Sequence, residues 1–107
     1  MRPGGQPNMQ QIMKQAQKMQ QQVAQAQAEL AAAELTGTAG GGLVTVTMTG
    51  LGEVKAVKID PKAVDPEDLE SLEDLVLAAI RNAAEAQREL TEEKMGPATG
   101  GLTLPGF

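Results

Sequence analysis

Residues 42–50 read Gly-Leu-Val-Thr-Val-Thr-Met-Thr-Gly, and their alternation decides the fold. Val44, Val46 and Met48 fall on one face, Leu43, Thr45, Thr47 and Thr49 on the other, the period of two of a strand with one buried face. Glycines stand at both ends. Gly40-Gly41-Gly42 precedes the run and Gly50-Leu51-Gly52 follows it, so the chain turns on each side and the flanking segments return as strands. Residues 53–60 (Glu-Val-Lys-Ala-Val-Lys-Ile-Asp) form the return strand, apolar in part on both faces, and residues 35–39 form a short edge strand. The expectation is a three-stranded antiparallel meander.

Outward from the strands the period changes. Ile12, Ala16, Met19, Val23, Ala26, Leu30 and Ala33 follow steps of four and three, the heptad spacing of a helix that lies against another helix. That helix spans residues 9–34 with Asn8 as its cap. At 1.5 Å per residue it is roughly 39 Å long, more than a small domain needs, so part of it projects or pairs outside the subunit. On the other side, Pro61 and Pro66 bracket a connector, and Asp65-Pro66-Glu67-Asp68 has the order of a helix start: cap, proline, first-turn acids. Leu69, Leu72, Val76, Ile80, Ala83, Gln87 and Leu90 form one stripe of a second helix reaching about Met95, where Gly96-Pro97 stops it. The turns before about Ser71 are a candidate separate segment. The class is α+β: residues 1–8 a flexible Pro- and Gly-rich start, 9–95 one α-β-β-β-α domain, and 96–107 a mobile tail.

Composition narrows the function. Phe107 is the one aromatic among 107 residues, and much of the apolar content is alanine, so the area available for hydrophobic stabilisation is small. An obligate oligomer, a dimer, is expected. Cysteine and histidine are both absent. With them go disulfides, thiolate nucleophiles, the usual zinc sites and most general bases, so we expect no enzyme, cofactor or small-molecule substrate. No run approaches the roughly 20 apolar residues of a membrane span and the start lacks a hydrophobic signal core, which points to the cytoplasm.

Charge is segregated. The net charge of −5 would by itself repel a polyanion, yet residues 1–28 carry Arg2, Lys14 and Lys18 and no acid. Lys14 and Lys18 have no carboxylate within a helical turn and are candidate phosphate contacts. Arg81 and Arg88 share a face of the second helix, with Lys94 near its end. Glu85 lies four after Arg81 and three before Arg88, so spacing alone allows either a phosphate-contacting stripe or ordinary intrahelical ion pairs. Asp65, Glu67, Asp68, Glu70, Glu73 and Asp74 match no calcium-loop spacing and read as helix N-terminal acids, so no metal site is expected. The triple glycine lacks a following Gly-Lys-Ser or Gly-Lys-Thr and reads as a turn, not a phosphate cradle.

Residues 13–19 (Met-Lys-Gln-Ala-Gln-Lys-Met), 42–50, 57–61 (Val-Lys-Ile-Asp-Pro) and 72–75 (Leu-Glu-Asp-Leu), with Lys94-Met95 and the late Leu-Pro-Gly-Phe, form an ordered set. It closely resembles the YbaB/EbfC family of bacterial nucleoid-associated proteins over nearly the whole chain. The resemblance implies a tweezer-like homodimer whose long helices project from an α/β core, and a non-catalytic role in binding and organising duplex DNA in the nucleoid. It implies DNA contacts from Lys14, Lys18, Arg81, Arg88 and Lys94, although Glu85, Glu89, Glu92 and Glu93 leave residues 81–94 slightly acidic. The mechanism would be a two-armed clamp that reads phosphates far more than bases. Two rival readings also fit a helix, a hairpin region and a helix in an acidic chain. One is a prefoldin-like coiled-coil chaperone, which would suppress client aggregation; the other is an adaptor for DNA repair, recombination or replication proteins.

Overall fold

The computed structural model describes residues 9–99, so the expectations for residues 1–8 and for 100–107 lie outside it. In chain order it contains α1 (Met9–Ala32), β1 (Glu34–Ala39), β2 (Val44–Thr49), β3 (Val54–Ile59), a 3-10 turn (Pro61–Ala63) and α2 (Leu69–Thr99). The expected α+β meander is present: the sheet order is β1-β2-β3, with both pairs antiparallel. Gly40, Gly41 and Gly42 have φ of 66°, 68° and 97°, a left-handed run that side chains with a Cβ rarely adopt and that folds β1 back onto β2.

Register sorts the side chains into two faces. Leu35, Gly37 and Ala39 pair with Met48, Val46 and Val44, and Val57 and Ile59 pair with Val46 and Val44, so all of these share one face. The opposite face carries Thr36, Thr38, Thr45 and Thr47. Between Thr47 and Met48 the register with β3 shifts, leaving Lys55 as the extra residue of a bulge. Its ammonium reaches across the sheet to Glu34 of β1 at 2.9 Å.

The core is one helix laid across two strands. Val44 and Val46 are 0% exposed and meet Ala79 and Ala83 of α2, with Met48 beside them and Leu72, Leu75, Val76 and Ile80 packed at the margin. The alanines let α2 come close. A Cβ on Gly37 would collide with the backbone of Ala79 and Ala83, so contact between helix and strand here is backbone to backbone. Asn82 Oδ1 accepts a hydrogen bond from Thr38 N at 3.0 Å, which fixes the crossing.

The strand ends fall within a residue of expectation, and the helix ends differ in three places. The first helix stops at Ala32, and Glu34 begins β1 instead of ending the helix. The cause is tertiary: Gly50 packs on the backbone of Leu30 and donates its N–H to Ala33 O at 3.2 Å, turning the chain. The second helix begins at Leu69, capped by Asp68 and not by Asp65. Asp68 accepts from Ser71 N at 3.2 Å and from Ser71 Oγ at 2.6 Å, while Asp65 accepts from Glu67 N within a preceding turn. Those hydrogen bonds hold the Asp68 carboxyl below its ordinary range. At the other end α2 passes through Gly96-Pro97 to Thr99. The residue before a proline is pushed out of the helical region partly by its own Cβ, and Gly96 has none.

Candidate nucleic-acid interface

Two regions of α1 have different surroundings. Ala26 and Leu30 are buried where α1 meets α2 and the β2–β3 turn, so the C-terminal part of the heptad ladder finds its partner inside its own chain. Farther toward the N-terminus, Val23 and Met19 are half-buried, and Ala16 and Ile12 are exposed. At 24 residues α1 is about 36 Å long, and its first half stands clear of the sheet.

Two contacts fix α1 against α2. Gln87, which the apolar stripe of the sequence had included, donates through Nε2 to Gly50 O at 2.8 Å and to Thr91 Oγ1 at 3.0 Å. It therefore ties α2 to the turn that also touches Leu30 and Ala33. Lys94 Nζ meets Glu29 Oε1 at 3.0 Å. Moving along α2 from Gln87 to Lys94 thus corresponds to moving back along α1 from Ala33 to Glu29, and the two helices run antiparallel. The ion pair lowers the Glu29 carboxyl, through the hydrogen bond from Lys94 and then its charge, and raises the Lys94 ammonium for the reciprocal reasons.

The five cations assigned from sequence are not gathered into one patch. Lys14 and Lys18 are exposed on the projecting half of α1, and among the described residues neither enters an ion pair within 4 Å. At 100° per residue they lie on the side of the helix opposite Ile12, Ala16 and Val23, clear of the apolar seam. Arg81 and Arg88 are exposed on the part of α2 that the sheet backs, roughly 25 Å or more along the helices from Lys18. Neither makes an ion pair with Glu85, so the intrahelical pairs that spacing allowed are not formed. Arg81 instead borders a shallow depression with Asp74, Leu77 and Glu85, two of whose lining groups are acidic. Lys94 is engaged by Glu29.

Sequence reasoning missed the pair Glu29–Lys94 because its members are far apart in the chain and no periodicity connects them. It also missed the state of β3. The pattern of residues 53–60 shows a strand apolar in part on both faces and gives no sign of its burial, and in the structure every residue of β3 is exposed. Val57 and Ile59 point to the same side as buried Val46 and Val44, beyond the reach of α2. Among the described residues no helix is long and apolar enough to cross a membrane, and no three potential metal-binding side chains cluster.

Comparison with known proteins agrees with this architecture. A nucleoid-associated protein of Saccharopolyspora erythraea is 63% identical, with all of both chains covered. One from Rhodococcus opacus is 55% identical, again over the full length of both. Among solved structures, an uncharacterized protein of Helicobacter pylori superposes with a TM-score of 0.72, covering 92% of this chain and 100% of its own, at 23% identity, which speaks to the fold alone. The model of the YbaB/EbfC DNA-binding family matches residues 5–102, and the chain belongs to that family.

Proposed function

We infer that the protein is a homodimer that binds duplex DNA through its phosphates, with little sequence preference, and helps organise or compact the chromosome in the bacterial nucleoid. The observation that carries this reading is the projecting half of α1: exposed, free of acid through residue 28, and bearing Lys14 and Lys18, which form no ion pair among the described residues. In a chain of net charge −5 this is the surface that a polyanion meets without repulsion. The surrounding glutamines add hydrogen-bond donors for phosphate oxygens and carry no charge to oppose binding.

Dimerisation supplies two such arms. The exposed Val54, Val57 and Ile59 continue the buried face of the sheet past the edge of α2 and offer apolar area that a second subunit would cover. Arg81 and Arg88 act as secondary contacts, diluted by their acidic neighbours. Lys94 serves mainly to hold α2 against α1 through Glu29. The role is one of binding and organisation and not of catalysis. Family membership and the cation placement favour it over a prefoldin-like chaperone or a protein adaptor.

Fluorescence anisotropy of a labelled random-sequence duplex tests the reading, with wild type and the Lys14→Ala/Lys18→Ala variant compared at two salt concentrations. Affinity that falls with salt and falls further in the variant is the expected result. Absence of binding at low salt, or a preference of several orders of magnitude for one short sequence over its scramble, would overturn it. Sedimentation equilibrium of wild type and Val57→Lys checks the subunit count; a folded wild-type monomer at low micromolar concentration would remove the dimer.

A further inference from the structure

The acid-free stretch of α1 ends at Glu29, and both oxygens of that carboxylate are engaged. Oε1 accepts from Lys94 Nζ at 3.0 Å, and Oε2 accepts from Gln25 Nε2 at 3.3 Å. Two donors from two helices thus converge on one oxyanion. At about 100° per residue, Lys14, Lys18, Gln25 and Glu29 fall within about 60° of arc, all four on one exposed side of α1. We propose that Gln25 and Lys94 form a third phosphate-binding site in line with Lys14 and Lys18, which Glu29 occupies from within the chain and must leave before a phosphate enters.

Three observations support this assignment. The first is chemistry. An ammonium and a primary amide both donate to phosphate, and a carboxylate presents paired anionic oxygens to such donors as a phosphate does. Glu29 therefore stands in for the ligand. The second is position. Glu29 lies roughly 17 Å along the helix from Lys18, with Lys14 about 6 Å farther, so the row spans about 22 Å. One strand of B-form duplex presents about six phosphates over that length, enough for Lys14, Lys18 and the pair each to meet a different one. The third is access. The Lys94 side chain is 35% exposed and that of Glu29 44%, so phosphate reaches both from solvent and Glu29 swings out without opening the core. Exposed ion pairs are weak, and a strand already touching Lys14 and Lys18 reaches the site at high local concentration. The device selects a continuous polyanion. A lone phosphate ion lacks that advantage and leaves Glu29 in place.

This proposal rests on the reading of α1 as a DNA-contacting arm, and its test separates the two. Anisotropy titrations of one labelled duplex compare full-length wild type, Glu29→Ala, Lys94→Ala, the double variant and Glu93→Ala. Glu93 is exposed and adjacent to Lys94, so its removal gives the same change of charge without emptying the site. Glu29→Ala should tighten binding about threefold and steepen the slope of log K against log salt by about one per arm. In the Lys94→Ala background the same substitution should gain little, and so should Glu93→Ala alone. An equal gain with and without Lys94, or an equal gain from Glu93→Ala, would overturn the proposal by showing that Glu29 merely repels the duplex. Unchanged affinity in Glu29→Ala would overturn it as well. Each of these outcomes leaves the DNA reading standing, because wild type still binds. Absence of binding by wild type at low salt would remove that reading and this site with it.

Discussion

The two ends of the molecule are built on opposite terms. Where α2 crosses β1 and β2, alanines and glycines bring backbones together, and Val44 and Val46 are wholly buried between them. The first half of α1 has the same helical regularity and almost no burial; its surface is rich in glutamine and lysine, and Met9, Ile12, Met13 and Ala16 are open to solvent. The contrast separates the part that holds the fold from the part proposed to bind. The covered end holds the fold and tolerates little change, whereas the projecting end can vary in charge and contacts without unfolding the rest.

The sharpest way to break this contrast is at Gly37. A valine there would drive its side chain into the backbone of Ala79 and Ala83, which cannot step aside, and should cost about 3 kcal/mol or more. Urea denaturation reads the loss. A Gly37→Val chain as stable as wild type would mean that α2 does not lie where the core requires it. Next in size, Val46→Ala should destabilise by about 2 kcal/mol through lost burial and an unfilled space, while Ile12→Ala should stay within about 0.5 kcal/mol. Similar costs for the two in the same denaturation series would show that the projecting half is packed as firmly as the core.

On the binding side the order reverses. Lys14→Ala/Lys18→Ala should leave stability within about 0.5 kcal/mol of wild type yet weaken duplex binding on the order of tenfold. The slope of log K against log salt should drop by about one for each phosphate contact removed. Arg81→Ala/Arg88→Ala should weaken binding less. Anisotropy titrations in which the arginine pair matters more would move the interface from α1 to α2.

The smallest effect belongs to the link between the two ends. Glu29 is lowered by Lys94, so its contribution is present above the unfolded carboxylate range and is lost as pH falls through the lowered folded value. Lys94 is raised, so its contribution is present below the unfolded lysine range and is lost as pH rises through the raised value. Both groups are solvent-exposed, which keeps the effect slight. The melting-temperature difference between wild type and Glu29→Gln should be greatest around neutral pH and shrink toward both extremes. A difference that does not change with pH would assign it to something other than the ion pair.

Much of this arrangement is written in short-range patterns. The alternation of residues 43–49 and the glycines flanking it specify β2 and its turns, because a period of two and left-handed backbone are properties of a few consecutive residues. The ladder on α1 is legible for the same reason. Element ends are less so. Asp65 and Asp68 both suit a helix cap, and only the hydrogen bonds of Asp68 to Ser71 choose between them. Gly96-Pro97 looks like a stop, yet glycine removes part of the clash that makes it one. Of the candidate site, exposure of Lys14 and Lys18 followed from an acid-free helix face. Engagement of Lys94 did not, because its partner is brought near by the packing of α1 on α2.

By itself the sequence determined the order and type of the elements, the meander, the segregation of charge and the projecting first helix. Each depends on residues close together in the chain, where periodicity, turn chemistry and charge spacing act directly. Tertiary structure alone decided that α2 covers β1 and β2 but leaves β3 bare, that half of the α1 seam is satisfied within the chain, and that Lys94 pairs with Glu29. Those outcomes depend on which faces meet in space, and an apolar stripe specifies that it must be covered without specifying by what.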